Sequence, residues 1–255
     1  MGALPLSETA SEVRSRLLAD ERDLTAGADD DLAYWQKVAG ASTGPILEIG
    51  CGAGRILTAL SANERQLIGL DLDVAALALA AERAPAAEWI CADGRTWRRE
   101  ATAASLVIIG GDLLSLITMP DDLEALLRTA ALHCAPGGQV GLDATLMDPQ
   151  LFADEVEGEW STDLERVDAD FTTVRRESRI APDPQARTNT VYLEIRHRAV
   201  GVDGRITPIY PDRAPFAIRA WQPDEVRALA AAAGLGVTRV GDDDRLRWLL
   251  RSAHE

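Results

Sequence analysis

The sequence predicts an α/β fold: a doubly wound parallel sheet with helices on both faces, and an antiparallel sheet inserted late in the chain. Short apolar runs of strand length alternate with helical patterns from Ile46 to Ala144. That alternation is the mark of parallel strands joined by crossover helices. The first run ends in glycines at alternate positions and passes directly into a helical pattern, the layout of a nucleotide-binding βα unit. From Trp160 to Trp221 the helical period almost vanishes and long strand-type runs replace it.

The chain has 255 residues, enough for one large α/β domain with an insertion. No apolar run approaches the roughly 18–20 residues of a membrane span. Residues Met1 to Asp20 lack a basic start followed by an apolar stretch, so no secretory signal is read and a cytoplasmic location is expected. The formal net charge of −15 argues against nucleic acid as a partner, because binding phosphates takes a dense basic surface. Of 26 basic residues all but Lys37 are arginine, a bias that suits a GC-rich genome. Cys51, Cys91 and Cys134 are far apart, and only His133, His197 and His254 accompany them. No metal site is expected from that spacing, and the cysteines read as small buried residues.

Residues Ser7 to Ala19 and Asp30 to Val38 read as helices; the second starts in the acidic cluster Asp29-Asp30-Asp31 and carries Tyr34 and Trp35. Ile46 to Ile49 is the first buried strand, and Glu48-x-Gly50-x-Gly52-x-Gly54 is its turn. Glycines there allow positive φ and remove the Cβ atoms that would hold a ligand off the backbone. The following helix offers free N–H groups. Arg55 stands where a dinucleotide turn would have its third glycine. The acid ahead of the turn suits a ligand with an ammonium group better than a pyrophosphate.

Gln66 to Leu70 is the second strand, closed by Asp71, and Asp73 caps an alanine-rich helix through Ala84. A carboxylate at the end of the second strand can accept from both hydroxyls of a ribose, which would place Leu72 against the base. Glu88 to Cys91 is the third strand, followed by Asp93-Gly94; Ser105 to Ile109 is the fourth, followed by Gly110-Gly111-Asp112. Asp121 and Asp122 open a helix that runs to Cys134 and is stopped at Pro136-Gly137-Gly138, before strand five from Gln139 to Ala144. His133, at the end of that helix, reads as structural, where a cation would suit the dipole.

In the later block Phe171 to Ile180, Thr190 to Val200, Arg205 to Tyr210 and Phe216 to Trp221 read as strands. Gln222-Pro223-Asp224-Glu225 opens a last helix that stops at Gly234, and Gly236 to Val240 with Arg245 to Leu250 forms a closing hairpin.

The stretch Glu48–Gly54, Asp71, Asp93 and the leucine-rich helix ending in Ala135-Pro136-Gly137-Gly138 stand in the order of the motifs of the class I S-adenosylmethionine (SAM) methyltransferases, and the chain resembles that family from about Pro45 to its end. The late helix after an inserted sheet is similar to the small-molecule branch, which includes N-methyltransferases of amino sugars and other natural products. The resemblance implies a Rossmann-like SAM-binding domain of residues 45–147 and 222–255, an N-terminal helical cap of residues 1–44, and an inserted sheet of residues 148–221 as a lid or substrate wall. It implies SAM as cofactor, S-adenosylhomocysteine as product and a small-molecule acceptor, N or O, in secondary metabolism. The cofactor-binding set is then Trp35, Glu48, Gly50, Cys51, Gly52, Gly54, Arg55, Asp71, Leu72, Asp93, Gly94 and Gly110, with Asp93 taking the adenine amine. Trp35 either folds over the ligand or packs its helix onto the domain.

Transfer of a methyl group from a sulfonium is an in-line displacement, served chiefly by proximity and orientation. A base is needed for a hydroxyl acceptor more than for a neutral amine. His197 shares a strand face with Val191, Leu193, Ile195 and Ala199 and is either a core residue or a base; Tyr210 and Asp112 are the other candidates. A SAM-binding enzyme that uses the cofactor for other chemistry, such as cyclisation, would carry the same motifs. The acceptor atom and a homodimeric state are left open by the sequence.

Overall fold

The computed structural model describes residues 28–63, 65–100, 103–147, 158–167, 173–181, 189–208, 216–240 and 245–252. The chain divides into two compact units, with cuts between Leu146 and Met147 and again between Ala220 and Trp221.

The larger unit runs α1 (Ala28–Gly40), β1 (Ile46–Ile49), α2 (Arg55–Leu60), β2 (Leu67–Asp71), α3 (Val74–Arg83), β3 (Glu88–Cys91), β4 (Ala104–Ile109), α4 (Leu113–Leu116), α5 (Pro120–His133) and β5 (Cys134–Thr145). The smaller unit holds β6 (Ser161–Val167), β7 (Thr173–Ala181), β8 (Thr190–Val200), β9 (Ile206–Pro208) and β10 (Phe216–Arg219). The chain then returns to the larger unit as α6 (Pro223–Ala232), β11 (Leu235–Val240) and β12 (Arg245–Ser252).

The large sheet has seven strands in the order β11-β12-β5-β4-β1-β2-β3. The five strands from β5 to β3 are parallel, and β12 and β11 close the edge as an antiparallel hairpin. Strands buried on both faces need no polar alternation, and β4 shows why. Val107 and Ile109 pack on the side of α4, α5 and α6 with Leu114, Leu123, Leu127 and Val226. Leu106 and Ile108 pack on the side of α1 and α2 with Trp35, Ile56 and Leu57. No described helix is long and apolar enough to cross a membrane.

The local signals act as the residues dictate. The Asp73 side chain accepts from the N–H groups of Ala75 and Ala76 and caps α3. Gly234 takes φ +80 one residue past the C-cap of α6. Strand five starts earlier than expected: Ala135 to Gly138 belong to β5 as a bulge, with Ala104 opposite Cys134 and Leu106 opposite Gln139.

His133 is a structural residue, as its place in the sequence suggests. It is buried, its Nδ1–H donates to the Thr129 carbonyl at 2.8 Å, and its Nε2 accepts the Arg99 N–H at 3.2 Å. Its face stacks on Trp97 with centroids 4.4 Å apart. His133→Ala removes the stack and both hydrogen bonds, and is expected to destabilise the protein by about 2–4 kcal/mol, seen as a thermal midpoint lowered by roughly 5–10 °C.

The smaller unit is one antiparallel sheet of five strands, β10-β8-β7-β6 with β9 also on β8. Its β6 has no counterpart in the sequence reading. Rows of charge cross the strands, with Glu165 paired to Arg175, Glu177 to Arg196 and Glu194 to Arg179. Trp160 lies under the Arg196 guanidinium at 3.9 Å. Glu194 and Arg196 are paired and partly buried.

Candidate active site

Between β1 and β4 the sheet reverses its winding, and ligands of open α/β sheets sit outside the carboxyl ends of the strands at that point. The turn from Gly50 to Gly54 lies there. Its glycines do two different jobs. Gly50 has φ +75, and a Cβ on it would stand 2.5 Å from Leu113. Gly54 also has φ +75, and a Cβ on it would meet Trp89 at 2.6 Å and Ala80 at 2.9 Å. Gly52, at φ +52, has nothing within 4 Å of its Cβ position. Gly50 and Gly54 are therefore glycines of packing as well as of turn geometry, and Gly52 marks where a ligand can approach the backbone.

Asp71 is tied to that corner. Its Oδ2 accepts the Gly52 N–H at 2.7 Å and its Oδ1 accepts the Asp73 N–H at 2.9 Å. The carboxylate thus pins the glycine turn to the start of α3. Leu72, next in the chain, is 64% exposed, unusual for a large apolar side chain beside a core strand. Glu48 is buried in the sheet below the turn. Cys51 is buried beneath it, and desolvation pushes its thiol far up and keeps it protonated.

Asp93 follows β3 and is held by one residue. Arg95 donates its backbone N–H and Nε–H to Oδ1, and Nη2 to Oδ2 at 2.7 Å. Nη1 of Arg95 also reaches Asp122, at the start of α5. The hydrogen bond from the Arg95 side chain holds the Asp93 carboxyl below the usual carboxylate range. Its contribution to folding is present above the ordinary aspartate pKa and is lost as pH falls through the lowered value.

Several residues that the sequence reading gave to the ligand have partners in the protein. The Arg55 guanidinium makes two hydrogen bonds to Asp31, at 2.8 and 2.5 Å, and ties α2 to α1. Trp35 is fully buried; its ring fills the space left by Gly141, and its Nε1 lies 3.3 Å from the Cβ position of Gly110. A Cβ on Gly94 would meet Ile49 at 2.5 Å and Leu126 at 3.0 Å, so that glycine lets α5 close on β1. Asp112 takes φ 62, and its Oδ1 accepts from the Thr145 N–H and from Arg245. His197 lies in β8 of the smaller unit, opposite Arg176. Tyr210 lies outside the described residues. Cys91 is exposed, against the expectation that all the cysteines are buried.

Two features escaped the sequence reading. Trp221 donates its Nε1–H to the carbonyls of Leu114 and Ile117, both at 2.9 Å, and so holds α4 beside the turn after β4. Asp143, fully buried in β5, faces Arg245 and Arg247 of β12. Burial raises its carboxyl pKa, while the two guanidiniums pull it back. An aspartate within an apolar strand was the available signal.

SAM fits this corner in kind. Gly52 leaves its backbone open, and Asp71, which closes β2, presents a carboxylate oxygen beside it. Gly52→Ala is expected to cost only about 1–2 kcal/mol in backbone strain yet to abolish detectable SAM binding, because its Cβ enters the open space. Thermal melting and calorimetry separate the two effects.

Residues 46–138 match the family described as a methyltransferase domain. No curated protein sequence matches the chain. Among solved structures, the SAM-bound amino pentose methyltransferase CalS10 from Micromonospora echinaspora aligns with a TM-score of 0.72 at 22% identity, over 98% of this chain and 99% of its own. DesVI from Streptomyces venezuelae aligns with 0.71 at 21% identity, over 96% and 98%. The sugar N-methyltransferase KedS8 from a Streptoalloteichus species aligns with 0.72 at 18% identity, over 99% and 98%. These likenesses establish a shared fold. The sequence match falls on the stretch that carries the glycine turn, Asp71 and Asp93, so residues 46–138 are similar to a methyltransferase domain, within a sheet of the order β11-β12-β5-β4-β1-β2-β3.

Proposed function

We propose that this protein is a SAM-dependent methyltransferase that acts on the amine nitrogen of a small molecule in secondary metabolism, with amino sugars as the acceptor class. The observation that carries the cofactor half is the open corner at Gly52 with Asp71 directly bonded to it. In this reading Asp71 accepts from the ribose hydroxyls with lone pairs its backbone donors leave over, Leu72 lies against the adenine, and Asp93 takes the adenine amine. The acceptor half is supported by the fold shared, nearly end to end, with enzymes described as acting on an amino pentose and on a sugar nitrogen. The net charge of −15 is in keeping with an acceptor other than nucleic acid.

Bound SAM supplies an electrophilic methyl group on a sulfonium. The protein's part is orientation and the exclusion of water. A neutral amine needs no base, which agrees with an Asp112 whose Oδ1 is already bonded to Thr145 and Arg245.

The test is incubation with SAM and a panel of amino-sugar and phenol acceptors, with products read by mass. S-adenosylhomocysteine and an N-methylated product formed together are the expected result. Transfer to phenols alone would defeat the amine reading. Loss of SAM without any methylated product would favour other chemistry on the cofactor.

A further inference from the structure

The turn after β4 is held in an unusual way. Asp112 is the one described non-glycine residue with positive φ, and Gly111 before it has φ +61. A side chain with a Cβ takes that conformation under strain, and it persists where the surroundings fix it. The fixing groups come from far along the chain. Asp112 Oδ1 accepts the Thr145 N–H at the end of β5 and Nη2 of Arg245, the first residue of β12, at 3.2 Å. The rest of the Arg245 fork is anchored as well. Nε donates to the buried Asp143 at 2.8 Å, and Nη1 donates to the Thr145 hydroxyl at 2.9 Å. Arg247 adds a second charge to the same Asp143 oxygen at 3.4 Å.

Arg245 is thus a strut between a buried carboxylate and the turn. What the turn sets is the place of the next residue, Leu113, whose side chain fills the position a Cβ on Gly50 would take. The path from Arg245 to the glycine turn is short: Arg245 holds Asp112, Asp112 fixes Leu113, and Leu113 lies against Gly50.

We propose that Arg245 is a positioning residue for the SAM site, acting through Asp112 and Leu113 on the shape of the glycine turn. The proposal rests on SAM binding at that turn. It assigns Arg245 no contact with the ligand.

The experiment is SAM titration by calorimetry on the wild-type protein, Arg245→Ala, Asp112→Asn and the double variant, each well below its own melting temperature. Arg245→Ala is expected to bind SAM about 10-fold more weakly. Asp112→Asn, which tolerates positive φ and leaves the Asp143–Arg245 pair intact, is expected to lose roughly 3- to 5-fold. The double variant should be no weaker than Arg245→Ala alone, because both changes break one path. Steady-state kinetics should show the KM for SAM raised with kcat little changed, a split that a loss of stability alone does not produce.

Wild-type SAM affinity in a folded Arg245→Ala, or losses that add in the double variant, would overturn the proposal. If Arg245→Ala does not fold, Asp112→Asn decides: unchanged affinity overturns the proposal and weakened affinity supports it. A wild-type protein that binds no SAM would instead defeat the reading of the cofactor site.

Discussion

Asp71→Ala is expected to lower the affinity for SAM by roughly 150-fold, the loss that follows when two hydrogen bonds to a charged acceptor, about 1.5 kcal/mol each, are removed. The structure adds a second reason for a large effect. The same carboxylate accepts the Gly52 N–H and the Asp73 N–H. Alanine at position 71 therefore frees the glycine turn as well as removing the proposed ribose acceptor. Asp71→Asn separates the contributions. Its amide oxygen accepts the Gly52 N–H, but it carries no charge and cannot accept from every donor at once. Its affinity is expected to fall between those of the wild type and Asp71→Ala. An unchanged dissociation constant in Asp71→Ala would remove the ribose assignment.

Trp221→Ala is expected to give the largest loss of stability, about 3–5 kcal/mol. The indole is 5% exposed, packs within the core on the α4, α5 and α6 side, and donates to two carbonyls at the end of α4. Trp221→Phe keeps much of the volume and leaves the Leu114 and Ile117 carbonyls without that donor, for about 1–3 kcal/mol. Chemical denaturation orders the three proteins as wild type, Phe, Ala. Because α4 follows the turn at Asp112, the Phe variant is also expected to bind SAM more weakly. Equal stability of the Phe variant and the wild type would mean that the two carbonyls find other donors.

What was legible in the sequence was local. The spacing of Glu48, Gly50, Gly52 and Gly54, the acid closing the second strand, the cap at Asp73 and the stop at Gly234 each act within a few residues, and each stands where the pattern put it. The runs Ile46–Ile49 and Ser105–Ile109 read as strands because both of their faces are apolar, and both lie in buried strands of the sheet. The strand Ser161–Val167 was missed for the opposite reason. Its residues are largely polar, and it is stabilised by pairing with β7 and by charges such as Glu165 with Arg175.

Roles that depend on distant partners were not legible. Arg55 follows the glycine turn and looked like a ligand residue, yet its guanidinium is bound to Asp31. Gly94 and Gly110 looked like ligand glycines, yet Leu126 and Ile56 occupy the space beside them. Trp35 was read both ways, and its complete burial against Gly141 favours packing. Asp112 and Arg245 are separated by 133 residues, and no window on the sequence joins them.

SAM is expected to seat at the open corner of the glycine turn. Calorimetric titration of the purified protein with SAM and with S-adenosylhomocysteine tests that most directly. Saturable binding of both at one site per chain, lost in Gly52→Ala while that variant remains folded, is the predicted result. A folded wild-type protein that binds neither, or a Gly52→Ala variant that binds both as the wild type does, would contradict it.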